Sequence, residues 1–210
     1  MTTSDSSRRF QIDRGAFSKH YDVKSISGGA SFYVDVSSFT SGKPDLTLHR
    51  GASKISPVVA ACHLPKFSGD LKIGLASPAG PDSMAWEDIT RESVLKASEY
   101  RWQTAIPDIA TSENRVLFWK RTHSVGVAGM SPSSLSVRNF KLVDGQTDEI
   151  LAVFTSDRTL SGCGVLEIRA NHGEQFDVSV LISCIGLYEK ARRRSRRSSA
   201  AGGGGGGGGG

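Results

Sequence analysis

The chain closes on a segment that is apolar around nearly the whole helical wheel and then runs straight into a block of arginines. Between Phe176 and Tyr188, the side chains of Val178, Val180, Leu181, Ile182, Cys184, Ile185 and Leu187 leave no polar face of useful width. A helix of that kind must be enclosed, by protein or by lipid. Its apolar stretch of roughly 13 residues falls short of the ~20 that a bilayer crossing needs. The segment therefore predicts a core helix near 173–197, with Val180, Leu181, Cys184, Ile185 and Tyr188 shielded from solvent. Its cationic end, Lys190, Arg192, Arg193, Arg194, Arg196 and Arg197, should emerge into water. Glu174 and Asp177 at the start and arginines at the end suit the helix macrodipole.

Charge follows the same division. The chain carries 26 Lys+Arg against 21 Asp+Glu, a net charge of +5. Six of those cations lie in 190–197, and without them the balance is 20 to 21. The body is thus near neutral, which argues for a local basic patch and against a domain coated with nucleic acid. Cys62, Cys163 and Cys184 are odd in number and lack metal-type spacing, so they read as reduced thiols in a reducing compartment. The first residues, MTTSDSSRRF, contain no apolar stretch of the kind a secretory signal needs.

From Tyr21 onward the pattern changes to short period-two runs broken by Gly, Pro, Ser and Asp. Candidate strands fall at 21–26, 31–36, 45–49, 57–64, 70–75, 84–89, 92–97, 100–106, 116–121, 139–144, 149–155 and 164–169. Asp144-Gly145 between two of them has hairpin chemistry. Each run offers one apolar face, so a half-solvated antiparallel sheet is expected. Twelve such strands and one all-apolar helix have an economical solution: the sheet closes into a barrel, which removes exposed edges, and the helix fills it. Residues 1–19 read as a disordered polar leader, 20–197 as the barrel, and 198–210 as a disordered Ser/Ala/Gly tail.

The segments KPDLTLH (43–49), FWKRTHSVGV (118–127), NFKLVD (139–144), ILAVFTS (150–156) and YEKARRRSRR (188–197) carry a resemblance. Over about 21–197, and in its Gly-rich end, the chain resembles fungal proteins of the tubby C-terminal-like superfamily. Tubby proteins, LURP-one-related proteins and phospholipid scramblases share that fold. The resemblance implies a closed antiparallel barrel of about 12 strands around a C-terminal apolar helix. It also implies a non-enzymatic module that recognises anionic, phosphoinositide-like lipid from the membrane periphery. The Lys/Arg pattern with which tubby proteins hold head groups does not align here, and the scramblase membrane helix and palmitoylated cysteines are missing.

Two segments could hold an anion. In FWKRTHS, Lys120, Arg121 and His123 supply donors suited to phosphate. Trp119 and Arg121 share one strand face and Phe118 and Lys120 the other, so they converge only if the strand ends near Arg121. Arg138 and Lys141, beside and within the strand at 139–144, extend this basic set. The second segment is the block at Lys190, Arg192, Arg193, Arg194, Arg196 and Arg197. A solvated helix end, a polybasic contact with an anionic leaflet, a nuclear address read by an import receptor and non-specific nucleic-acid contact all fit it, nucleic acid least. Ser195, Ser198 and Ser199 follow arginines, and phosphate there would lower the positive charge. The expected location is cytoplasmic, with membrane contact or a nuclear address as its refinement; a structural scaffold is the remaining alternative. His20, His49, His63, His123 and His172 show no metal spacing, and only His49 and His63 fall where they could meet across strands. No GxSxG, P-loop, GxGxxG or CxxC motif occurs, so neither catalysis nor a cofactor is expected.

Overall fold

The computed structural model describes residues 7–15, 17–37, 40, 42–77, 80–92, 99–106, 114–133, 136–157 and 162–202. In chain order the strands are β1 (Arg8–Asp13), β2 (His20–Ser25), β3 (Ser31–Val36), β4 (Leu46–Arg50), β5 (Val58–His63) and β6 (Leu71–Ser77). They continue with β7 (Gly80–Arg91), β8 (Glu99–Ala105), β9 (Asn114–Arg121), β10 (Phe140–Asp144), β11 (Ile150–Ser156) and β12 (Gly162–Ile168). One helix, α1 (Gly173–Gly202), follows. Each strand pairs antiparallel with its chain neighbour, and β1 pairs with β12, so the sheet is a closed barrel. The expected architecture is the observed one.

The helix occupies the lumen. Val180 and Ile182 are fully buried although they point to opposite sides of α1, Cys184 is fully buried beside Val180, and Leu181 and Ile185 are 1% exposed. Strand residues meet α1 around its circumference. Trp102 of β8 stacks on Phe176, and Phe154 of β11 meets Tyr188 edge-on. Tyr21 of β2 packs against Tyr188 as well. Trp119 of β9 donates its indole N–H to Ser183 Oγ at 3.1 Å. On the β5–β6 side α1 approaches so closely that a Cβ on Gly186 would lie 2.7 Å from Leu71 Cδ2 and 3.0 Å from Cys62 Sγ.

Three differences from the sequence reading have physical causes. Residues 8–13, read as part of a disordered leader, form β1, which pairs with both β12 and β2 and closes the barrel. Only Phe10 and Ile12 face inward there, and the polar residues between them mask the alternation. At the other terminus α1 continues past Arg197 to Gly202. Its serines accommodate the helix by donating to carbonyls one turn back: Ser195 to Ala191 at 3.1 Å and Ser198 to Arg194 at 3.1 Å. Third, β11 and β12 are not half-solvated. The connection between β9 and β10 folds over their outer face, where Val127 packs with Val153 and Val165. Thr155 Oγ1 accepts from Val127 N at 2.8 Å there. Of the strand expected at 92–97, Glu92 lies past the end of β7, and 93–97 fall outside the described residues. Residues 1–6 and 203–210 also fall outside them.

Candidate anion-binding mouth of the barrel

All strands alternate in direction, so alternate loops gather at each end of the barrel. The loops at 14–19, 37–45, 64–70 and 122–139 surround the end through which the C-terminal part of α1 leaves. We call this end the mouth. It contains a cleft of about 510 Å³ bordered by the 37–45 loop, the 64–70 loop and α1. Lys43, Lys66, Lys190, Arg193, Arg194 and Arg197 line it, with Asp45 the acidic residue among them.

The walls of the cleft are fixed by internal bonds. Asp45 accepts from Leu64 N at 2.9 Å and from Arg193 Nη1 at 2.6 Å, which ties the two loops to the helix. Lys190 Nζ donates to the carbonyl of Asp70 at 2.5 Å. Burial pulls the pKa of Lys190 down to about 8, against the opposing charge of Asp70. An approaching anion would favour its charged form.

The cationic block therefore divides into two classes. Arg192 and Arg193 are committed inside the protein, through the carboxylate of Glu189, which is 1% exposed. Glu189 accepts from Arg192 Nε at 2.7 Å, Arg193 Nε at 2.8 Å and Arg14 Nη1 at 2.9 Å, and from the Tyr21 hydroxyl. Burial raises the pKa of Glu189, but bonds from Arg192, Tyr21 and Arg193 outweigh it and hold the carboxyl down at about 2. Arg194, Arg196 and Arg197 are exposed and form no ion pair among the described residues. They, with Lys190, are the members of the block that can meet a ligand.

The residues expected around 118–141 do not converge. β9 does end at Arg121. Trp119 is fully buried, however, and Lys120 lies on the outer wall, 3.2 Å from Glu99 Oε1. Lys141 stands beside Lys120 on β10, also on the outer wall. His123 is exposed on the following loop. Arg138 turns toward α1, with Nη1 3.4 Å from the Tyr188 hydroxyl oxygen and the guanidinium 5.4 Å from its ring centre. Arg121 follows buried Trp119 by one strand period, which sets it on the lumen side of the rim.

Lys43 and Lys66 were not singled out from the sequence, and both contribute to the cleft. Only the antiparallel order, which brings the loops at 37–45 and 64–70 to one end, identifies them. That order also separates His49 from His63. His49 lies opposite Val58 at one end of the β4–β5 pair, and His63 is at the other. His49 Nδ1 instead contacts the Ser56 carbonyl at 2.8 Å. Among the described residues no three His, Cys, Asp or Glu side chains are grouped to hold a metal. The three cysteines are free and buried, and burial raises the Cys163 thiol to about 11 and the other two further. Such thiols are poor nucleophiles. No helix among the described residues is long and apolar enough to cross a membrane.

No protein family, curated protein or solved structure matches the chain.

Proposed function

We propose that the protein is a non-enzymatic binding module that docks its barrel mouth on an anionic lipid surface. The observation that carries this reading is Phe67. It is fully exposed, and it sits in the 64–70 loop between Lys66 and Ser68, both of which line the cationic cleft. An aromatic side chain held in water beside a basic cleft suits a surface whose head groups are charged and whose interior is apolar. Phe17, also fully exposed, lies on the 14–19 loop of the same end.

The opposite end of the barrel provides the comparison. Ile26 and Ile55 are exposed there, and the cations beside Ile55 are answered: Arg50 pairs with Glu174, and Lys54 Nζ is 2.7 Å from Asp35 Oδ2, while exposed Lys24 near Ile26 forms no ion pair among the described residues. Among the described residues the mouth sets its apolar tips beside Lys43, Arg194 and Arg197, which form no ion pair, where the opposite end sets Lys24 beside Ile26. The barrel around a C-terminal helix is also the layout expected of the tubby C-terminal-like superfamily, and the lipid reading accords with that resemblance.

Co-sedimentation with vesicles of graded phosphatidylserine content tests the reading. Binding should rise steeply with anionic fraction. Lys43→Gln combined with Arg197→Gln should weaken it by about 30-fold, given about 1 kcal/mol for each cation near an anionic leaflet. Phe67→Ser should weaken it further without altering the dependence on charge. No binding by the full chain at ~0.15 M salt, or equal binding to neutral vesicles, would contradict the proposal.

A further inference from the structure

The mouth holds a second cationic focus, which meets the cleft at Arg194. Arg91 ends β7 and Arg121 ends β9. Two residues before them stand Ile89 and Trp119, both fully buried, so the strand period turns both arginines toward the lumen side of the rim. Tyr100 of β8 pairs with Arg91 on one side and with Trp119 on the other, which places the two arginines at the same edge of the barrel. The stem of Arg91 lies on the backbone of Gly69, where a Cβ would come 2.6 Å from Arg91 Cδ.

The helix supplies a third guanidinium. The bond from Trp119 to Ser183 turns one stripe of α1 toward β9, and Leu187, Lys190 and Arg194 continue that stripe by helical spacing. Burial, followed by the like charges of Arg194 and Arg91, lowers the pKa of Arg121 against an opposing contribution from Tyr100. Arg121 thus feels the repulsion of both other guanidinium groups.

Their hydrogen bonding is incomplete. The Nε atoms of Arg91 and Arg121 are buried and have no partner among the described residues. Among the described residues, none of the three guanidinium groups forms an ion pair. Arg9 Nε is likewise buried without a partner, but its guanidinium pairs with Glu167; other guanidinium groups are also answered, Arg14, Arg192 and Arg193 by Glu189, Arg115 by Asp144, and Arg8 by Asp177. Gathering three cations and desolvating two donors without an acceptor is unfavourable unless an oxyanion completes the site. The planar fork of a guanidinium matches the oxygens of a phosphoryl group.

We infer that Arg91, Arg121 and Arg194 form an oxyanion site for a phosphate monoester, which adjoins the membrane-facing cleft and shares Arg194 with it. The site does not require a membrane: a soluble phosphate or the terminal phosphate of a lipid head group offers the same oxygens.

Thermal unfolding and titration calorimetry of the full chain test this, with inorganic phosphate and glycerol 3-phosphate as soluble probes and chloride at matched ionic strength as control. Vesicles containing phosphatidic acid, a monoester, are compared with vesicles containing phosphatidylglycerol, a diester. A shift of the melting temperature with the soluble probes identifies a soluble source. Preference for phosphatidic acid vesicles without a soluble response identifies a head group. In either case Arg121→Gln should reduce the response at least tenfold, while its own melting temperature without phosphate stays at or above that of the parent, because a repelling charge has been removed. Arg91→Gln should act likewise and carries the test if Arg121→Gln does not fold. Lys43→Gln with Arg197→Gln should retain the phosphate response even where it loses vesicle binding, so failure of the cleft and failure of this site are separable. The inference is overturned if neither soluble probe nor phosphatidic acid vesicles produce a response, or if both arginine variants keep the full response.

Discussion

At Glu189 a buried carboxylate is held among three guanidinium groups and a phenol. Its folded pKa of about 2 lies below the ~4.3 of an unfolded glutamate. The fold therefore favours the ionised form. The resulting stability is fully present above the unfolded value and is lost as pH falls from about 5 toward 2. Denaturant titration across that range should show a loss on the order of 3 kcal/mol from this residue. Glu189→Gln should lose a similar amount at pH 7 and show a flatter acid limb; an unchanged acid limb would count against the network. Part of this arrangement is legible in the sequence, since Glu189 precedes Arg192 and Arg193 by helical spacing. The rest is not: Arg14 stands 175 positions from Glu189, and Asp45 148 from Arg193. A charge run of this kind reads as solvated until the fold brings its partners from a distance. The same limit conceals the Arg91–Arg121–Arg194 group, whose members are neighbours only once the barrel closes.

At the scale of the element, α1 was the most legible part of the chain, because residues apolar on every side can be satisfied only by enclosure. The strands from β2 onward were legible through their alternation and turn residues. β1 was not, because its RRFQID sequence has two apolar positions and its place is set by β12 and β2. The fit of α1 to the wall was also beyond the sequence. A glycine inside a helix ordinarily weakens it by about 1 kcal/mol relative to alanine. At Gly186 the wall leaves no room for that methyl group, with Leu71 and Cys62 already in contact distance. Overpacking of a buried site costs about 1–3 kcal/mol. Gly186→Ala should therefore lower the unfolding free energy by about 1 kcal/mol in chemical denaturation, whereas a more stable variant would show that α1 and the β5–β6 wall are less tightly apposed.

The whole molecule is polar along the barrel axis. The helix enters at an end where Asp177 and Glu174 pair with Arg8 and Arg50, and it leaves at an end where Lys43, Arg194 and Arg197 have no acidic partner among the described residues. Phe17 and Phe67 project from that second end, and Ile55 from the first. The account requires the mouth, and not the opposite end or the barrel wall, to face the bilayer. Because Cys62, Cys163 and Cys184 are all buried, a nitroxide can be attached selectively at Phe67→Cys or at Ile55→Cys. The measurement is the depth of each label, read by oxygen accessibility, on vesicles containing phosphatidylserine. The label at 67 should enter the interface between head groups and acyl chains while the label at 55 stays in water. A label at 67 that remains aqueous, or a label at 55 that inserts, would contradict the account.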